Sequence, residues 1–396
     1  MVIAHKAPDE LPQILGVGNF PSAGMRKGVV VDIEDVAISL REAAREAWAI
    51  SGHEIRSCFI GVNGPQLKCQ ESRGVVAVSR ADREIAEADV DRSLKAAEAV
   101  SVSPNREILS VLARGFTIDH EEGIKNPVGM NGVRLEVDTL VLTASSPYLK
   151  NLTKAVERAD LHVADLIPGP LAAAEAVLQK RQKELGVVLL DIGAETTSIA
   201  IYEEGEVATL VVLPIGSGHI TNDLAIGLRT DIDTAEKVKI RYGSCLPGDI
   251  RKTEIINLAD LGLEEAVKVR RSEVSEIIEA RMKEIFDLVN AEIQKVNKKS
   301  FLPAGAVIVG GGAKIPGIVD LAKEQLALPV QVGYPNNVKG LIDQVTDPAC
   351  AKAVGLLLWG LEHGAQHTQH AIFQKDKKML GRATGEVRKF FKNLLP

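Results

Sequence analysis

Short β-branched segments alternate along the chain with longer amphipathic segments, and this alternation limits the possible folds more than any other feature of the sequence. Residues 13–20 (QILGVGNF) and 55–62 (IRSCFIGV) have the composition of strands, whereas residues 33–50 carry an Ala/Ile/Leu stripe at helical spacing. The alternation resumes in residues 186–202 and again in residues 306–324. Helices that alternate with strands pack on the faces of a sheet, so the pattern predicts an α/β fold.

The length and composition exclude several classes of protein. A chain of 396 residues allows roughly two to four compact units, and its net charge of −6 gives no reason to expect nucleic acid as a partner. The cysteines lack the CxxC spacing of a zinc site or a disulfide framework, which fits a reducing, cytoplasmic setting. No apolar run approaches the roughly 18 residues of a membrane-spanning helix, and the first residues lack the apolar core of a signal peptide.

One turn between two apolar strands could bind phosphate. Asp191 and Gly193 end the first strand, and Thr196 and Thr197 begin the second. Such a turn can direct backbone N–H groups at a phosphate while the carboxylate holds Mg²⁺ through water. An ordinary hairpin turn would have the same pattern.

Two further motifs are also open to more than one interpretation. Gly310, Gly311 and Gly312 follow an apolar strand and precede a predicted helix, a place where ligands bind in α/β sheets but also a common chain break. Glu236 and Lys239 lie three residues apart on a predicted helix, so they point the same way. They form either part of a ligand site or a surface ion pair.

The order of these motifs along the chain resembles the nucleotide pocket of the actin-like ATPase superfamily. That order is DIG-x-x-TT, PIGSGHITNDLAIGL, AEKVKIRYG and VGGGAKIPG. Within the superfamily the chain is similar to the FtsA family of bacterial cell-division proteins, on the stretches VNGPQLKCQESRGVVAVSR, EGIKNPVGMNGVRLEV and DPACAKAVGLLLWG as well. The resemblance implies an actin-like fold of two halves with an α+β insertion subdomain and a C-terminal amphipathic helix.

The resemblance also implies a division of the chain into consecutive parts. The first half covers residues 1–64, is interrupted by the insertion at 65–143, and returns at 144–169 and in a closing helix at 341–362. The second half covers residues 170–219 and 301–340, with a mostly helical subdomain at 220–300 between them. A flexible linker at 363–384 and a membrane-targeting helix at 385–396 follow.

The resemblance implies a site for ATP and Mg²⁺ between the halves. Asp191 (through water on Mg²⁺), Gly193, Thr196 and Thr197 would face the phosphates. The rest of the implied site comprises Gly216 and Gly218 along the phosphate wall, Glu236 and Lys239 at the ribose and adenine, and Gly310, Gly311 and Gly312 against the adenosine.

Two departures from the family pattern lower the expected affinity for nucleotide. The family shows DIGGGTTD where this chain has DIGAETTS, and the carboxylate of Glu195 would repel a triphosphate unless it points away or reaches Mg²⁺. The first phosphate hairpin of the family, a DIGTSK-like segment, is not in the sequence, and residues 1–6 resemble its second strand. We therefore expect weak ATP binding and weak or absent ATPase activity, with at least tenfold tighter binding by a chain extended upstream.

The last residues form an amphipathic pattern. The apolar side chains recur at i, i+3, i+4, i+7 and i+8, and from residue 377 onward six basic residues accompany one acidic residue. About ten helical residues measure about 15 Å, so this segment can lie on an anionic membrane but cannot cross it. A terminal helix that packs on the protein's own core is the alternative. The predicted membrane contacts are Val387, Arg388, Lys389, Phe390, Phe391, Lys392, Leu394 and Leu395.

A long helix predicted near residues 272–296 has charges on one side and apolar residues on the other. An ordinary surface helix has this pattern, but the resemblance implies that the subdomain receives the C-terminal peptide of FtsZ, with Arg281 and Glu284 as contacts. The whole chain would then be an adaptor that polymerises with itself, tethers FtsZ filaments to the membrane and recruits later division proteins. The alternatives are a PilM-like pilus-assembly adaptor and a small-molecule kinase of the same superfamily.

Overall fold

The computed structural model describes residues 1–99, 103–261, 267–296 and 302–362. The first part of the chain consists of short strands and one long helix. These elements are β1 (Val2–His5), β2 (Gln13–Val17), β3 (Met25–Arg26), β4 (Val29–Val30), α1 (Ile33–Ser51) and β5 (Ser57–Val62). The strand predicted over residues 13–20 is too long at its end, because the chain turns onto α1, where Asn19 N–H donates to Glu46 Oε2 at 2.7 Å.

Helix α1 begins and ends at local signals that the sequence carries. Asp32 Oδ1 accepts hydrogen bonds from the backbone N–H groups of Glu34 and Asp35, at 2.9 and 3.1 Å, which satisfies donors that the first turn leaves unpaired. The helix ends at Gly52, whose φ of +71° is a left-handed conformation that favours glycine. The helix predicted over residues 33–50 is confirmed.

The insertion is an α+β unit with its own core. Its elements are β6 (Lys68–Ala77), α2 (Glu87–Glu98), β7 (Arg106–Ile118), β8 (Glu121–Ile124) and β9 (Arg134–Ser145). The strands form an antiparallel sheet in the order β6-β9-β7-β8, and α2 packs on β6 and β9. Phe116, Leu135 and Val137 are among the buried residues between them.

After the insertion the chain forms α3 (Ser146–Arg158) and β10 (His162–Pro168) of the first half. The helices α4 (Gly169–Val177) and α5 (Lys180–Leu185) then lead into the second half. Strand β10 lies parallel to β5, and α3 packs on α1. Helix α4 is buried along almost its whole length, because it lies beneath strands of both halves.

The second half begins with three strands and continues into a mostly helical subdomain. The strands are β11 (Val187–Ile192), β12 (Thr197–Glu203) and β13 (Glu206–Leu213). The subdomain contains α6 (Gly218–Leu228), α7 (Ile232–Tyr242), β14 (Ile255–Asn257), β15 (Lys268–Arg270) and α8 (Arg271–Val296). No helix in the described part of the chain is long and apolar enough to cross a bilayer.

The elements after α8 add strands to the sheets of both halves. The elements are β16 (Ala306–Val309), α9 (Ile318–Leu326), β17 (Val330–Val332), β18 (Lys339–Gly340) and α10 (Ile342–Val345), followed by a helix over residues 351–362. The sheet of the second half has the order β13-β12-β11-β16-β17, with β11 at its centre and every residue of β11 buried. This position places the end of β11, and therefore the turn after it, between the two halves.

The two halves have related pairings. In the first half β1 lies antiparallel to β2, as β12 does to β13, and β5 lies parallel to β10, as β16 does to β17. Within the described residues, no strand joins β1 to β5 in the way that β11 joins β12 to β16.

Candidate functional site

The turn between β11 and β12 is held in place from behind by the start of α6. Gly193 N–H donates to Thr196 O at 2.9 Å and closes the turn, while Ser217 N–H donates to Gly193 O at 2.8 Å and Gly218 N–H to Ala194 O at 2.6 Å. A Cβ on Gly216 or Gly218 would lie within 3 Å of Ala194 O, so the close approach depends on both glycines. The structure thus brings Gly216 and Gly218 against the turn.

Asp191 is the buried acid of this turn. Its side chain is only 6% exposed, and the Nζ of Lys352, on the helix over residues 351–362, lies 2.8 Å from its Oδ2. The pair lacks hydrogen-bond alignment, because Asp191 Oδ2 is buried and accepts no hydrogen bond within the described structure. A buried carboxylate at the start of the phosphate turn fits a magnesium site, because Mg²⁺ takes oxygen ligands directly or through water. Sequence reasoning missed Lys352, since no spacing along the chain links it to Asp191.

The hydroxyl groups after the turn have different partners. Thr196 Oγ1 accepts a hydrogen bond from Asn63 Nδ2 at 3.1 Å, and Ser198 Oγ donates to Asn63 Oδ1 at 2.8 Å. Thr197 is fully buried, and its Oγ1 donates to Ile215 O at 2.8 Å. The expectation that Thr197 faces phosphate is therefore wrong, because its side chain points to the opposite face of the strand and fixes β12 to the chain before α6.

Asn63, which reaches across from the first half, is itself held in place. Tyr148 OH donates to Asn63 O at 3.0 Å and accepts from Asn63 N–H at 3.3 Å. Burial raises the pKa of the Tyr148 hydroxyl, so it stays a neutral donor at physiological pH. Sequence reasoning did not single out Asn63, whose role depends on the meeting of the two halves.

Glu195 also contacts the first half. Its Oε2 accepts a hydrogen bond of 2.5 Å from the backbone N–H of Lys27, in the turn between β3 and β4. The sequence left two possibilities for this carboxylate, that it points away from a triphosphate or that it reaches Mg²⁺; in the structure it reaches the first half and is bound to the Lys27 N–H.

Glu236 and Lys239 form a network on α7. Lys239 Nζ lies 2.6 Å from Glu236 Oε2 and donates to Thr221 Oγ1 at 2.8 Å and to Ser217 O at 3.3 Å. Lys239 is only 9% exposed, so the pair is not a simple surface ion pair. Because the Lys239 ammonium is committed to these partners, Glu236 is the more accessible of the two for a ligand.

The glycines after β16 pack on the end of β11. A Cβ on Gly310 would lie 2.6 Å from Asp191 Oδ1, and one on Gly312 would lie 2.5 Å from Ile192 Cγ2, whereas Gly311 faces open space. The glycines follow β16 and precede α9 as predicted, with a 3₁₀ turn over Gly311–Lys314 between them and the start of α9 at Ile318. Of the three glycines, only Gly311 has room beside it for a ligand.

A separate groove of about 360 Å³ lies between α6 and α8. Arg281 donates to Asp223 through Nε and Nη2, at 2.6 and 2.8 Å, and also contacts Glu284. These contacts hold the pKa of the Arg281 guanidinium above its ordinary value. The groove is lined by Asp223, Ile226, Gly227, Ile277, Ala280, Arg281 and Glu284.

Comparisons with known proteins identify the family. The family profile of the cell division protein FtsA matches residues 188–355, and that of the SHS2 domain inserted in FtsA matches residues 64–143. The chain is 41% identical over 361 residues to the cell division protein FtsA of Pseudomonas aeruginosa, covering 91% of this chain and 86% of that protein. It is 38% identical over 356 residues to FtsA of Bacillus subtilis, covering 90% and 80%.

The chain belongs to the FtsA family. The SHS2 match coincides with the α+β unit of β6 to β9, which confirms that an insertion distinguishes the first half of this FtsA-family chain. A solved PilM–PilN type IV pilus biogenesis complex has a similar fold, with a TM-score of 0.63 at 18% identity over 91% of this chain and 94% of the other. At that identity the likeness shows the actin-like fold alone. Membership of the FtsA family favours a role in cell division over the pilus and kinase alternatives.

The amphipathic residues of this FtsA-family chain, 385–396, lie outside the described residues. The predicted membrane contacts and the linker at 363–384 therefore stay predictions from the sequence.

Proposed function

We propose that this FtsA-family chain is an adaptor that binds FtsZ filaments through its helical subdomain and holds them on the inner face of the cell membrane at the division site. In this proposal the chain binds Mg-ATP between its halves, associates with further copies of itself and recruits later division proteins. The observation that supports FtsZ binding is the groove between α6 and α8. Its lining combines the apolar side chains of Ile226, Ile277 and Ala280 with the guanidinium of Arg281 and the carboxylates of Asp223 and Glu284.

The groove offers apolar side chains and one guanidinium to a peptide partner. Ile226 is 77% exposed although it lies beside Gly227 and Ile277, and an exposed apolar side chain in a concave surface favours a partner that covers it. Arg281 already contacts two carboxylates, but Glu284 is half exposed. A carboxylate of the bound peptide could therefore replace Glu284 while Asp223 continues to orient the guanidinium.

The cleft suits Mg-ATP. Asp191 would hold Mg²⁺, Gly193 and Thr196 would lie at the phosphates, and Glu236 and Gly311 would lie on the adenosine side. This assignment is supported by the buried carboxylate of Asp191 beside the turn and by the open space beside Gly311. Bound Mg²⁺ would supply charge neutralisation for the phosphates.

The sequence of residues 385–396, the tail, is what supports attachment to the membrane. Five apolar side chains on one stripe and flanking basic residues give a weak, reversible attachment to anionic lipid, because a partly buried helix must also be ordered from coil. Self-association of the actin-like body would join several tails and strengthen the attachment through effective concentration.

Titration of the chain with the C-terminal peptide of its cognate FtsZ tests the groove. We expect Ile226→Asp to weaken binding at least tenfold, about 1.4 kcal/mol, because it replaces an exposed apolar side chain of the groove with a charge. The matched control is Ile240→Asp, since Ile240 is 74% exposed on the neighbouring helix α7 and does not line the groove. Arg281→Glu should also weaken binding, whereas Glu284→Gln should not. Equal loss in the Ile226→Asp and Ile240→Asp variants would move the peptide site elsewhere.

A further inference from the structure

Lys352 crosses from the first half of the molecule to the phosphate turn of the second. It is the second residue of the helix over residues 351–362, and its side chain passes over Gly169, where an added Cβ would lie 3.2 Å from Lys352 Cδ. Its Nζ ends 2.8 Å from Asp191 Oδ2, and its side chain is 29% exposed. The stem of the lysine is therefore packed in the cleft, while its ammonium retains access to solvent.

The ammonium of Lys352 has unused capacity to donate. Lys239, the buried lysine of α7, donates to Thr221 and Ser217 and pairs with Glu236. Lys352, by contrast, has one ion-pair partner within the described structure, the carboxylate of Asp191. An ammonium carries three N–H donors, so Lys352 can take an anionic acceptor that enters the cleft.

The charge of the turn also favours a cation at this point. The turn contributes two carboxylates, Asp191 and Glu195, and the Glu195 carboxylate is occupied by the Lys27 N–H of the first half. The carboxylate of Asp191 would repel a triphosphate beside it unless a positive charge lies close to both the carboxylate and the phosphates. Among the described ion pairs, the one that reaches this turn is Lys352 with Asp191.

We propose that Lys352 is a phosphate-binding residue of the cleft. Without ligand it neutralises Asp191; with a nucleoside triphosphate and Mg²⁺ bound, Asp191 would hold the metal and Lys352 would donate to a phosphate oxygen. This inference rests on the proposed nucleotide site and adds a residue from the closing helix to it. Because Lys352 belongs to the first half and Asp191 to the second, occupancy of the cleft would tie the two halves together through the ligand.

Binding measurements with three ligands separate this role from a structural one. Calorimetry with Mg-ATP, Mg-ADP and adenosine is performed on the unsubstituted chain and on Lys352→Met and Lys352→Arg. We expect Lys352→Met to weaken Mg-ATP binding about tenfold, as the loss of a charge-assisted hydrogen bond does, and to leave adenosine binding unchanged. Lys352→Arg should retain most of the affinity for Mg-ATP.

The matched control is Lys339→Met, because Lys339 pairs with a single carboxylate, that of Glu10, in the sheet of the first half. It should bind all three ligands as the unsubstituted chain does. Thermal unfolding without ligand should show a lower Tm for Lys352→Met, since Asp191 then lacks its cation.

Unchanged or tighter Mg-ATP binding by a folded Lys352→Met variant would overturn the inference, as would equal loss for adenosine and Mg-ATP. Failure of the unsubstituted chain to bind both Mg-ATP and adenosine would instead overturn the proposed nucleotide site, and the inference with it.

Discussion

Glu195 illustrates how a departure from a family pattern can have a local reason at the scale of one residue. Where the family pattern has glycine, this chain has a carboxylate that accepts a hydrogen bond from Lys27 N–H of the other half. Ser198, where the pattern has aspartate, likewise donates across the cleft to Asn63. Both departures therefore form contacts between the halves.

The contact of Glu195 can be tested at the amide that it binds. We expect Glu195→Ala to speed hydrogen–deuterium exchange of the backbone segment containing Lys27 about fivefold, because one exposed charge-assisted hydrogen bond is worth about 1 kcal/mol. Exchange followed by mass spectrometry measures this, with Glu98→Ala on the exposed end of α2 as the matched control. An unchanged rate at the Lys27 segment would show that the two halves are not held together at this point.

The elements of the molecule were predictable where their boundaries depend on local chemistry. Asp32 and Gly52 mark the two ends of α1, and the apolar runs on either side of the turn after Asp191 form β11 and β12. These elements were therefore visible in the sequence. The 3₁₀ turn after β16 was not, because it depends on packing of Gly310 and Gly312 against the end of β11.

The candidate site was predictable only in part. The positions of Asp191, Gly193 and Thr196 follow from one turn, whereas Asn63 and Lys352 reach that turn from distant parts of the chain. The partners of Thr197 and Lys239 likewise depend on how β12 and α7 pack on the segment from residue 215 to residue 221. Such contacts require the tertiary structure, since no periodicity along the sequence indicates them.

Asp89 organises the helical side of the insertion. It is fully buried, and its carboxylate accepts hydrogen bonds from Ala86 N–H at 3.0 Å, from Ser79 Oγ at 2.8 Å and from Ser79 N–H at 3.2 Å, beside the guanidinium of Arg92. These donors, led by Ala86 N–H, hold the pKa of Asp89 well below its ordinary value. The carboxylate thereby joins the start of α2 to the chain that follows β6.

Replacing Asp89 should destabilise the insertion in a pH-dependent way. We expect Asp89→Asn to lower the free energy of unfolding by about 2 kcal/mol at pH 7, because hydrogen bonds to a charged group are lost. A carboxyl whose folded pKa is depressed contributes stability above its unfolded pKa, near 3.8, and loses it as pH falls toward the folded value.

The difference between the two proteins should therefore be constant from pH 7 to pH 5 and shrink below about pH 4. Urea unfolding at each pH, followed by a probe in the insertion, measures it. A difference that grows as the pH falls would contradict the assignment of Asp89.

At the scale of the whole molecule, the insertion contacts both halves. It continues from β5 into β6 and from β9 into α3 in the first half, and Lys125 Nζ donates to Glu204 O of the second half at 2.7 Å. Cys69 Sγ lies 3.2 Å from Leu210 O on β13 of the same half. The arrangement leaves the α6–α8 groove on the helical subdomain, apart from the cleft, so partner and nucleotide would occupy separate surfaces.

Sedimentation with vesicles tests whether this one chain joins FtsZ to a membrane. FtsZ is mixed with vesicles that contain anionic phospholipid, in the presence or absence of the full chain. We expect FtsZ to sediment with the vesicles only when the chain is present. A chain truncated after residue 381, the Phe390→Glu variant and the Ile226→Asp variant should each leave FtsZ in the supernatant, and Ile240→Asp should not. FtsZ that stays in the supernatant with the full chain, or sediments equally with the truncated one, would contradict the proposal that the chain holds FtsZ on the membrane through its tail.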